Sequence, residues 1–232
     1  MITENKTILR STGLTKIYEN KFGVPVTAVA DVSIQLEKNE VLLISGPNGS
    51  GKTTLLSMLG CLLKPSSGNL IICGQDVAKF NQNQLTDFRL QNIGFIFQAF
   101  RLLDSLTVIE NIELVLNLAG IRRPASYERA MALVEELKIT HRAKFFPKVL
   151  SGGEKQRVAI ARALVSDPAV VLADEPTGSL DSRAGQAAIE LLCDAARQRN
   201  KTVIIVSHDD RIKHYAHRVL YMEDGRITEM SK

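Results

Sequence analysis

The glycine-rich stretch at residues 46–53, GPNGSGKT, constrains the fold of this chain more than any other feature. It follows the apolar residues 41–44 and precedes residues 55–59, whose apolar side chains recur with helical spacing. Strand, glycine turn and helix in this order are the context of a phosphate-binding loop, because the backbone and helix N–H groups can surround a polyphosphate. Lys52 would add a mobile positive charge, and the Thr53 hydroxyl suits Mg²⁺. The alternative is a flexible surface loop that matches the pattern by chance.

The length, net charge and cysteine positions of the chain limit the class of protein to which it can belong. At 232 residues we expect one large domain, or one domain with an insertion. The net charge of +4 is small and spread along the chain, so it does not indicate a nucleic-acid partner. Cys61, Cys73 and Cys193 lie far apart, which favours buried thiols in a reducing compartment over a metal site. Residues 1–6 lack a signal-peptide pattern, and no apolar run is long enough to span a bilayer. We therefore expect a cytosolic protein; attachment to a membrane through a partner stays open.

An apolar run at residues 170–173 ends in two carboxylates, Asp174 and Glu175. Such a run is typical of a strand in a parallel sheet covered on both faces. Ionised carboxylates at the end of a buried strand need a partner or a cation. Asp174 therefore suits Mg²⁺, and Glu175 is a candidate to take a proton from an attacking water. The alternative is a pair of solvated acidic residues.

Two further polar residues follow predicted strands directly. Gln98 comes after residues 93–97, and His208 comes soon after the apolar residues 202–206. Ligand groups collect at the carboxyl ends of strands in open α/β sheets. His208 could hydrogen-bond a γ-phosphate, although each of the two residues taken alone fits an ordinary loop position better.

Alternating apolar and polar residues at 7–11 and 32–36 predict strands in the N-terminal part of the chain. Tyr18 stands at the end of a strand, just before a polar turn at residues 19–25. Its ring could stack on a purine or pack as an ordinary core or edge tyrosine. The sequence favours neither of these two interpretations over the other.

Helical periodicity dominates from residue 107 to about residue 141, with a break at residues 122–124. Few strand signals occur between residues 104 and 149. We interpret this part as a helical subdomain inserted into an α/β core. The alternative is one more pair of crossover helices covering the sheet.

The segment LSGGEKQR at residues 150–157 precedes an amphipathic helix. Ser151 can cap that helix, and the N–H groups of Gly152 and Gly153 would form a second anion site at a helix N-terminus. The chain thus has two such helix ends but one lysine-bearing loop. A composite site, in which the second end serves a nucleotide held by another copy, explains this; a simply capped helix is the alternative.

Together these motifs resemble the nucleotide-binding subunit of an ATP-binding cassette (ABC) transporter over nearly the whole chain. The resemblance implies an α/β fold: a P-loop NTPase (RecA-like) core with an N-terminal antiparallel β subdomain and an inserted α-helical subdomain. The whole chain, residues 1–232, would be one nucleotide-binding domain. The core and β subdomain would take about 1–97 and 150–232, and the helical subdomain about 98–149. It further implies ATP hydrolysis with Mg²⁺, and a homodimer that closes head to tail over two ATP molecules.

The resemblance also implies a role for each matching residue. Catalytic residues would be Glu175 as general base, His208, Gln98 and Lys52. Thr53, Gln98 and Asp174 would bind the metal. The ATP-binding residues would be Tyr18, which stacks on adenine, together with Gly46, Pro47, Asn48, Gly49, Ser50, Gly51, Lys52, Thr53, Thr54, and, across the dimer, Ser151, Gly152, Gly153 and Asp181.

Within the family, residues 172–178 (LADEPTG) and 106–111 (LTVIEN) are similar to the macrolide-export and lipoprotein-release branch and to glycolipid exporters. That branch implies export or membrane extraction through a separate integral membrane permease, with a periplasmic or membrane-fusion protein as a further candidate partner. The chain would then lie on the cytoplasmic side of the inner membrane. Glu154, Ser179 and Ser207 depart from the branch pattern without removing a catalytic group. Residues 100–103 are a candidate permease-contacting surface or ordinary packing.

Rival functions are weaker. A soluble ABC-type ATPase acting on DNA or ribosomes usually has a coiled-coil insertion or two cassettes, and the chain has neither. A small GTPase would need an Asn-Lys-x-Asp guanine reader, which is absent. A non-catalytic regulatory module would not be expected to keep both Glu175 and His208.

Overall fold

The computed structural model describes residues 6–19 and 23–231. Its strands are β1 (Thr7–Glu19), β2 (Pro25–Val32), β3 (Gln35–Glu37), β4 (Val41–Ser45), β5 (Ser67–Ile72), β6 (Gln75–Asp76), β7 (Ile93–Ile96), β8 (Val170–Asp174), β9 (Thr202–Ser207), β10 (Arg218–Glu223) and β11 (Arg226–Ser231). Its α-helices are α1 (Lys52–Leu59), α2 (Gln82–Asn92), α3 (Val108–Leu118), α4 (Ala125–Glu136), α5 (Gly152–Leu164) and α6 (Ser182–Gln198).

The larger sheet has the strand order β11-β10-β4-β9-β8-β7. Strands β10, β4, β9, β8 and β7 run parallel, and β11 adds an antiparallel edge. In this register Ser45 pairs with Ser207, and Asp174 pairs with Val206. The carboxyl ends of the three central strands therefore meet at one edge of the sheet, where the glycine loop, the two carboxylates and the histidine follow them.

Helices cover both faces of this sheet, which explains why its central strands are apolar without alternation. One set of alternate residues, such as Leu42 and Leu172, packs with α1 in one hydrophobic cluster. The other set, such as Leu43 and Val171, packs with α5 and α6 in a second cluster. Burial on both sides holds the carboxyl ends of the strands in fixed positions.

The smaller sheet has the strand order β2-β1-β5-β6, with β3 also paired to β1, and all of its pairs are antiparallel. The antiparallel N-terminal sheet was predicted, but a continuous strand over residues 32–36 was wrong. The chain leaves the ladder between β2 and β3, where Ser33 Oγ accepts from Gly13 N and Ser11 Oγ accepts from Ile34 N. These side chains replace the regular backbone pairing. Part of the predicted turn at residues 19–25, namely 20–22, and residues 1–5 lie outside the described residues.

The helices predicted between residues 107 and 141 are present as α3 and α4. Helix α3 begins at a capping box in which Thr107 Oγ1 accepts from Glu110 N. Helices α3, α4 and α5 pack on one another in the cluster that also covers one face of the sheet. The subdomain boundaries at residues 98 and 149 stay a prediction. Across residues 6–19 and 23–231, no helix has both the length and the apolar character that crossing a bilayer requires.

Candidate functional site

The glycine loop leads from the end of β4 into α1 along a path that two of its glycines make possible. Gly46 has φ 151° and Gly51 has φ 100°. A Cβ atom would lie 2.0 Å from Met222 O at Gly46 and 2.1 Å from Ala28 O at Gly51. Both positions therefore require glycine. Gly51 precedes α1 without a side-chain cap, so the first amides of the helix remain available to an anion.

Lys52 folds back across this loop. Its Nζ donates to the carbonyl oxygens of Gly46 and Pro47, each at 2.8 Å, and the residue is only 6% exposed. Burial lowers the pKa of the Lys52 ammonium, while the nearby carboxylates of Glu175 and Asp174 act to raise that pKa. The loop thus carries a partly desolvated positive charge that a phosphate can compensate.

Thr53 and Asp174 contact each other although 121 positions separate them. Thr53 Oγ1 donates to Asp174 Oδ1 at 2.9 Å. Burial raises the pKa of the Asp174 carboxyl, and the Thr53 hydrogen bond opposes that effect. A hydroxyl and a buried carboxylate side by side are oxygen ligands of the kind that hard divalent cations take. Two of the three predicted metal ligands, Thr53 and Asp174, are therefore brought together.

Glu175 is fixed by both backbone and side-chain contacts. Its backbone has φ 43°, and its N–H donates to Val206 O at 2.9 Å. Its Oε2 accepts from Ser207 Oγ at 3.0 Å, and its Oε1 lies 2.9 Å from His208 Nδ1. The sequence marks Ser207 only as a departure from a branch pattern and does not indicate its contact with Glu175. The single sequence signal was its place at the end of an apolar strand.

A cleft of about 370 Å³ brings most of the predicted catalytic and nucleotide-binding residues together. Its lining residues are Ala28, Asn48, Gly49, Gly51, Lys52, Thr53, Thr54, Gln98, Glu175 and His208. Ala28 belongs to β2, so the N-terminal sheet supplies part of the wall, which the sequence analysis did not predict. Ser50, from the same loop, is buried and its backbone oxygen accepts from Gly225 N.

Residues 151–153 are not among the residues that line this cleft. Ser151 caps α5, with its Oγ accepting from Glu154 N at 3.3 Å and donating to Glu154 Oε2 at 2.9 Å. The pKa of Glu154 falls to about 2: burial acts to raise it, but hydrogen bonds from Arg142 and Ser151 outweigh burial. A Cβ on Gly152 would lie 3.0 Å from the Leu180 side chain. The capped helix is therefore present, and its exposed N-terminus is a separate feature from the cleft.

Tyr18 and Asp181 also lie outside the lining of the cleft. Tyr18 is 42% exposed at the end of β1, with Lys16 Nζ 5.3 Å from its ring centroid. Its ring is accessible to a stacking partner. Asp181 caps α6, accepting from Ala184 N at 2.9 Å. Their predicted contacts with a nucleotide stay predictions.

Comparison with known proteins finds a family whose model matches this chain. The family model described as "ABC transporter" matches residues 29–178. The chain is 41% identical over 220 residues to the macrolide export ATP-binding/permease protein MacB of Pectobacterium atrosepticum, covering 95% of this chain and 34% of that protein. It is 40% identical over 200 residues to the ABC transporter ATP-binding protein YtrE of Bacillus subtilis, covering 86% and 87%. The chain thus spans about a third of the length of the MacB relative.

Solved structures agree in fold. The ATP-binding cassette MJ0796, solved as a dimer in a post-hydrolysis state with ADP and Pi, has a TM-score of 0.89 and 35% identity, covering 97% of this chain and 98% of that one. The cbiO1 protein from Clostridium perfringens, part of the transporter complex cbiONQ, has a TM-score of 0.86 and 28% identity, covering 98% and 89%. The predicted P-loop NTPase fold is confirmed.

Proposed function

This chain belongs to the ABC transporter family, and from that premise we propose that it is the subunit that powers export, or membrane extraction, of a substrate through a membrane permease. Its activity is ATP hydrolysis. The observation that carries the proposal is the contact of Glu175 with His208 in the same cleft as Lys52. That arrangement supports a proton acceptor in the same cleft as a phosphate-binding loop.

ATP would bind with its phosphates in the glycine loop. The loop amides, the Lys52 ammonium and Thr54 would surround the β- and γ-phosphates. Lys52 would exchange its two carbonyl partners for phosphate oxygens, a stronger charge-assisted contact. Tyr18 would stack on the adenine ring from the end of β1.

Glu175 would act as the general base. Its carboxylate is held by Ser207 and His208, which fixes the direction in which it accepts a proton from the attacking water. His208 is about half exposed, so it can turn towards a γ-phosphate while Ser207 keeps its contact with Glu175. Gln98, which lines the same cleft and rests against the turn that follows Glu175, would help to orient the same water.

Thr53, Asp174 and Gln98 would hold Mg²⁺. These residues suit Mg²⁺ because Thr53 and Asp174 contact each other and because burial disfavours the negative charge of the Asp174 carboxylate. When bound, the ion neutralises charge on the phosphate oxygens.

A second copy of the chain would complete each site. Ser151, Gly152, Gly153 and Asp181 do not line the cleft, and Ser151 is exposed at the N-terminus of α5. In a head-to-tail dimer this helix end would close over the γ-phosphate held by the partner copy. The dimeric state described for MJ0796 supports this arrangement.

The membrane partner would bind near residues 100–103. Arg101 and Leu103 are exposed there, and Phe100 and Leu102 pack partly against the core. The name of the MacB relative, an ATP-binding/permease protein, supports a permease as the partner. A periplasmic or membrane-fusion protein stays a further candidate. The chain would then be a peripheral protein on the cytoplasmic side of the inner membrane.

The test is a pull-down from native membranes with a tagged Glu175→Gln variant, with and without Mg-ATP. We expect a stoichiometric membrane protein to co-purify, and more of it with Mg-ATP, because trapped nucleotide stabilises the closed dimer. A Lys52→Ala variant, which should not bind nucleotide, serves as the control. Recovery of only ribosomal or nucleic-acid-bound proteins would contradict transport and favour the soluble ATPase.

A further inference from the structure

We propose that Ser179 and Arg162 are positioning residues that hold Gln98 in a fixed position relative to Glu175. The inference rests on the proposed function, because it takes Gln98 to orient the attacking water. Neither residue lines the cleft, and both act on the backbone around Gln98 rather than on a nucleotide.

Ser179 ties Gln98 to the turn that follows Glu175. Its Oγ donates to the backbone oxygen of Gln98 at 2.9 Å, across 81 positions of sequence. The same turn is closed by Gly178 N donating to Glu175 O at 3.0 Å. A Cβ on Gly178 would lie 3.1 Å from Gln98 Nε2, so the Gln98 amide rests against this glycine. The Gln98 backbone and the Glu175 backbone are therefore linked through one short turn.

Arg162 holds the segment just after Gln98 from the other side. From the last turn of α5, its Nη1 donates to Arg101 O at 2.6 Å and its Nη2 donates to Phe100 O at 2.7 Å. Phe100 and Arg101 have φ 59° and 48°, so two successive non-glycine residues are left-handed. Such conformations persist only where the surroundings enforce them. The rigid fork of a guanidinium can bind both carbonyls at once, which a lysine cannot.

The two contacts restrict Gln98 through its own carbonyl and through the segment that follows it. Ser179 fixes its carbonyl relative to Glu175, and Arg162 fixes the left-handed turn that leads away from it. Catalytic side chains that are misplaced by about 1 Å lose about a hundredfold in rate, so this restriction matters for turnover. Because Lys52 and the loop amides make the phosphate contacts, we expect nucleotide affinity to be independent of both residues.

The experiment measures single-turnover ATP hydrolysis and nucleotide affinity of purified variants. The single variants are Ser179→Ala, Ser179→Thr, Arg162→Lys and Gln98→Ala. The double variants combine Gln98→Ala with either Ser179→Ala or Arg162→Lys. We expect Ser179→Ala and Arg162→Lys to slow hydrolysis by about threefold to thirtyfold, the range expected for loss of one hydrogen bond to partial loss of a charge-assisted pair. Affinity should stay unchanged, and Ser179→Thr, which keeps the hydroxyl, should hydrolyse ATP at the wild-type rate. In the Gln98→Ala background neither substitution should slow hydrolysis further.

The matched control is Arg157→Lys. Arg157 also lies on α5 and donates to a backbone carbonyl, that of Leu137 at 2.9 Å, away from Gln98. It should change thermal stability as Arg162→Lys does, without slowing hydrolysis. Equal slowing in Arg157→Lys, or undiminished effects in the Gln98→Ala background, would overturn the inference. If Gln98→Ala itself hydrolyses ATP at the wild-type rate, the proposed role of Gln98 is wrong. If Gln98→Ala is slow while Ser179→Ala and Arg162→Lys are not, only the positioning is wrong.

Discussion

The Glu175 carboxylate lies between a serine hydroxyl and an imidazole, and each of its oxygens has one of these partners. A glutamine keeps the shape and can still bond to both, but it cannot take a proton. We therefore expect Glu175→Gln to bind ATP as the wild type does, since Lys52 and the loop are unchanged, and to lose about 10²–10⁴-fold in hydrolysis rate. Binding by fluorescent-nucleotide titration and phosphate release would measure the two effects separately.

Glu190, an exposed carboxylate on α6, provides the control for that substitution. Glu190→Gln removes the same charge without touching the cleft and should turn over normally. If Glu175→Gln kept near-normal turnover, the assignment of the general base would be wrong.

Asp174, the proposed metal ligand, illustrates how a buried carboxylate lowers the stability of the folded protein. Burial raises the pKa of its carboxyl in the folded state, so the ionised form is disfavoured at any pH above that raised value. This cost to the stability of the folded state vanishes at pH values below the pKa that the Asp174 carboxyl has in the unfolded chain. We expect Asp174→Asn to raise the unfolding midpoint of the nucleotide-free protein at pH 8 by about 2–4 °C, the shift that about 1 kcal/mol gives at this size. Calorimetry at pH 8 would measure that rise.

The gain from Asp174→Asn should shrink as the pH falls, because the wild-type carboxyl then becomes protonated and loses its penalty. The exposed Asp87 on α2 is the control, and Asp87→Asn should leave the midpoint unchanged. A lower midpoint for Asp174→Asn at pH 8 would mean that the carboxylate's contact with Thr53 outweighs the effect of burial.

At the scale of the elements, the sequence predicts the centre of the molecule well. Strands β4, β8 and β9 are buried throughout and mostly apolar because helices cover both faces, and the apolar pattern is visible without a structure. Each of these strands carries its proposed site residues at or just beyond its carboxyl end. The order of strands in the sheet then brings those residues together, so local pattern and site coincide.

The parts that could not be predicted depend on contacts between distant positions. The wall formed by Ala28 follows from how the smaller sheet sits on α1, and no local pattern of β2 indicates it. The break between β2 and β3 comes from serine hydroxyls that replace backbone partners across the sheet. The contact of Ser207 with Glu175 likewise joins residues 32 positions apart on neighbouring strands. Propensity is a local quantity and carries no information about such pairs.

Helix α5 joins the scale of the element to that of the whole molecule. Its N-terminus carries Ser151, its last turn carries Arg162, and its apolar face packs against both the sheet and α3. A displacement of its first turn would be transmitted along a rigid helix to the segment around Gln98. The helix that would contact a partner copy therefore also supports the cleft of its own chain.

For the whole molecule, the separation of Lys52 from Ser151 predicts that two inactive variants can restore each other. Lys52→Ala removes the phosphate contact and Ser151→Arg blocks the helix end, so each homodimer should be inactive while a mixed dimer keeps one intact site. Random exchange should then restore about a quarter of wild-type hydrolysis, since half of the dimers are mixed and each has one site of two. Phosphate release from the 1:1 mixture would measure this, with Lys52→Ala mixed with Lys52→Ala,Ser151→Arg as the control that has no intact site. Activity in Ser151→Arg alone would show that a single chain suffices, and an inactive mixture whose subunits demonstrably exchange would show that both sites must be intact at once.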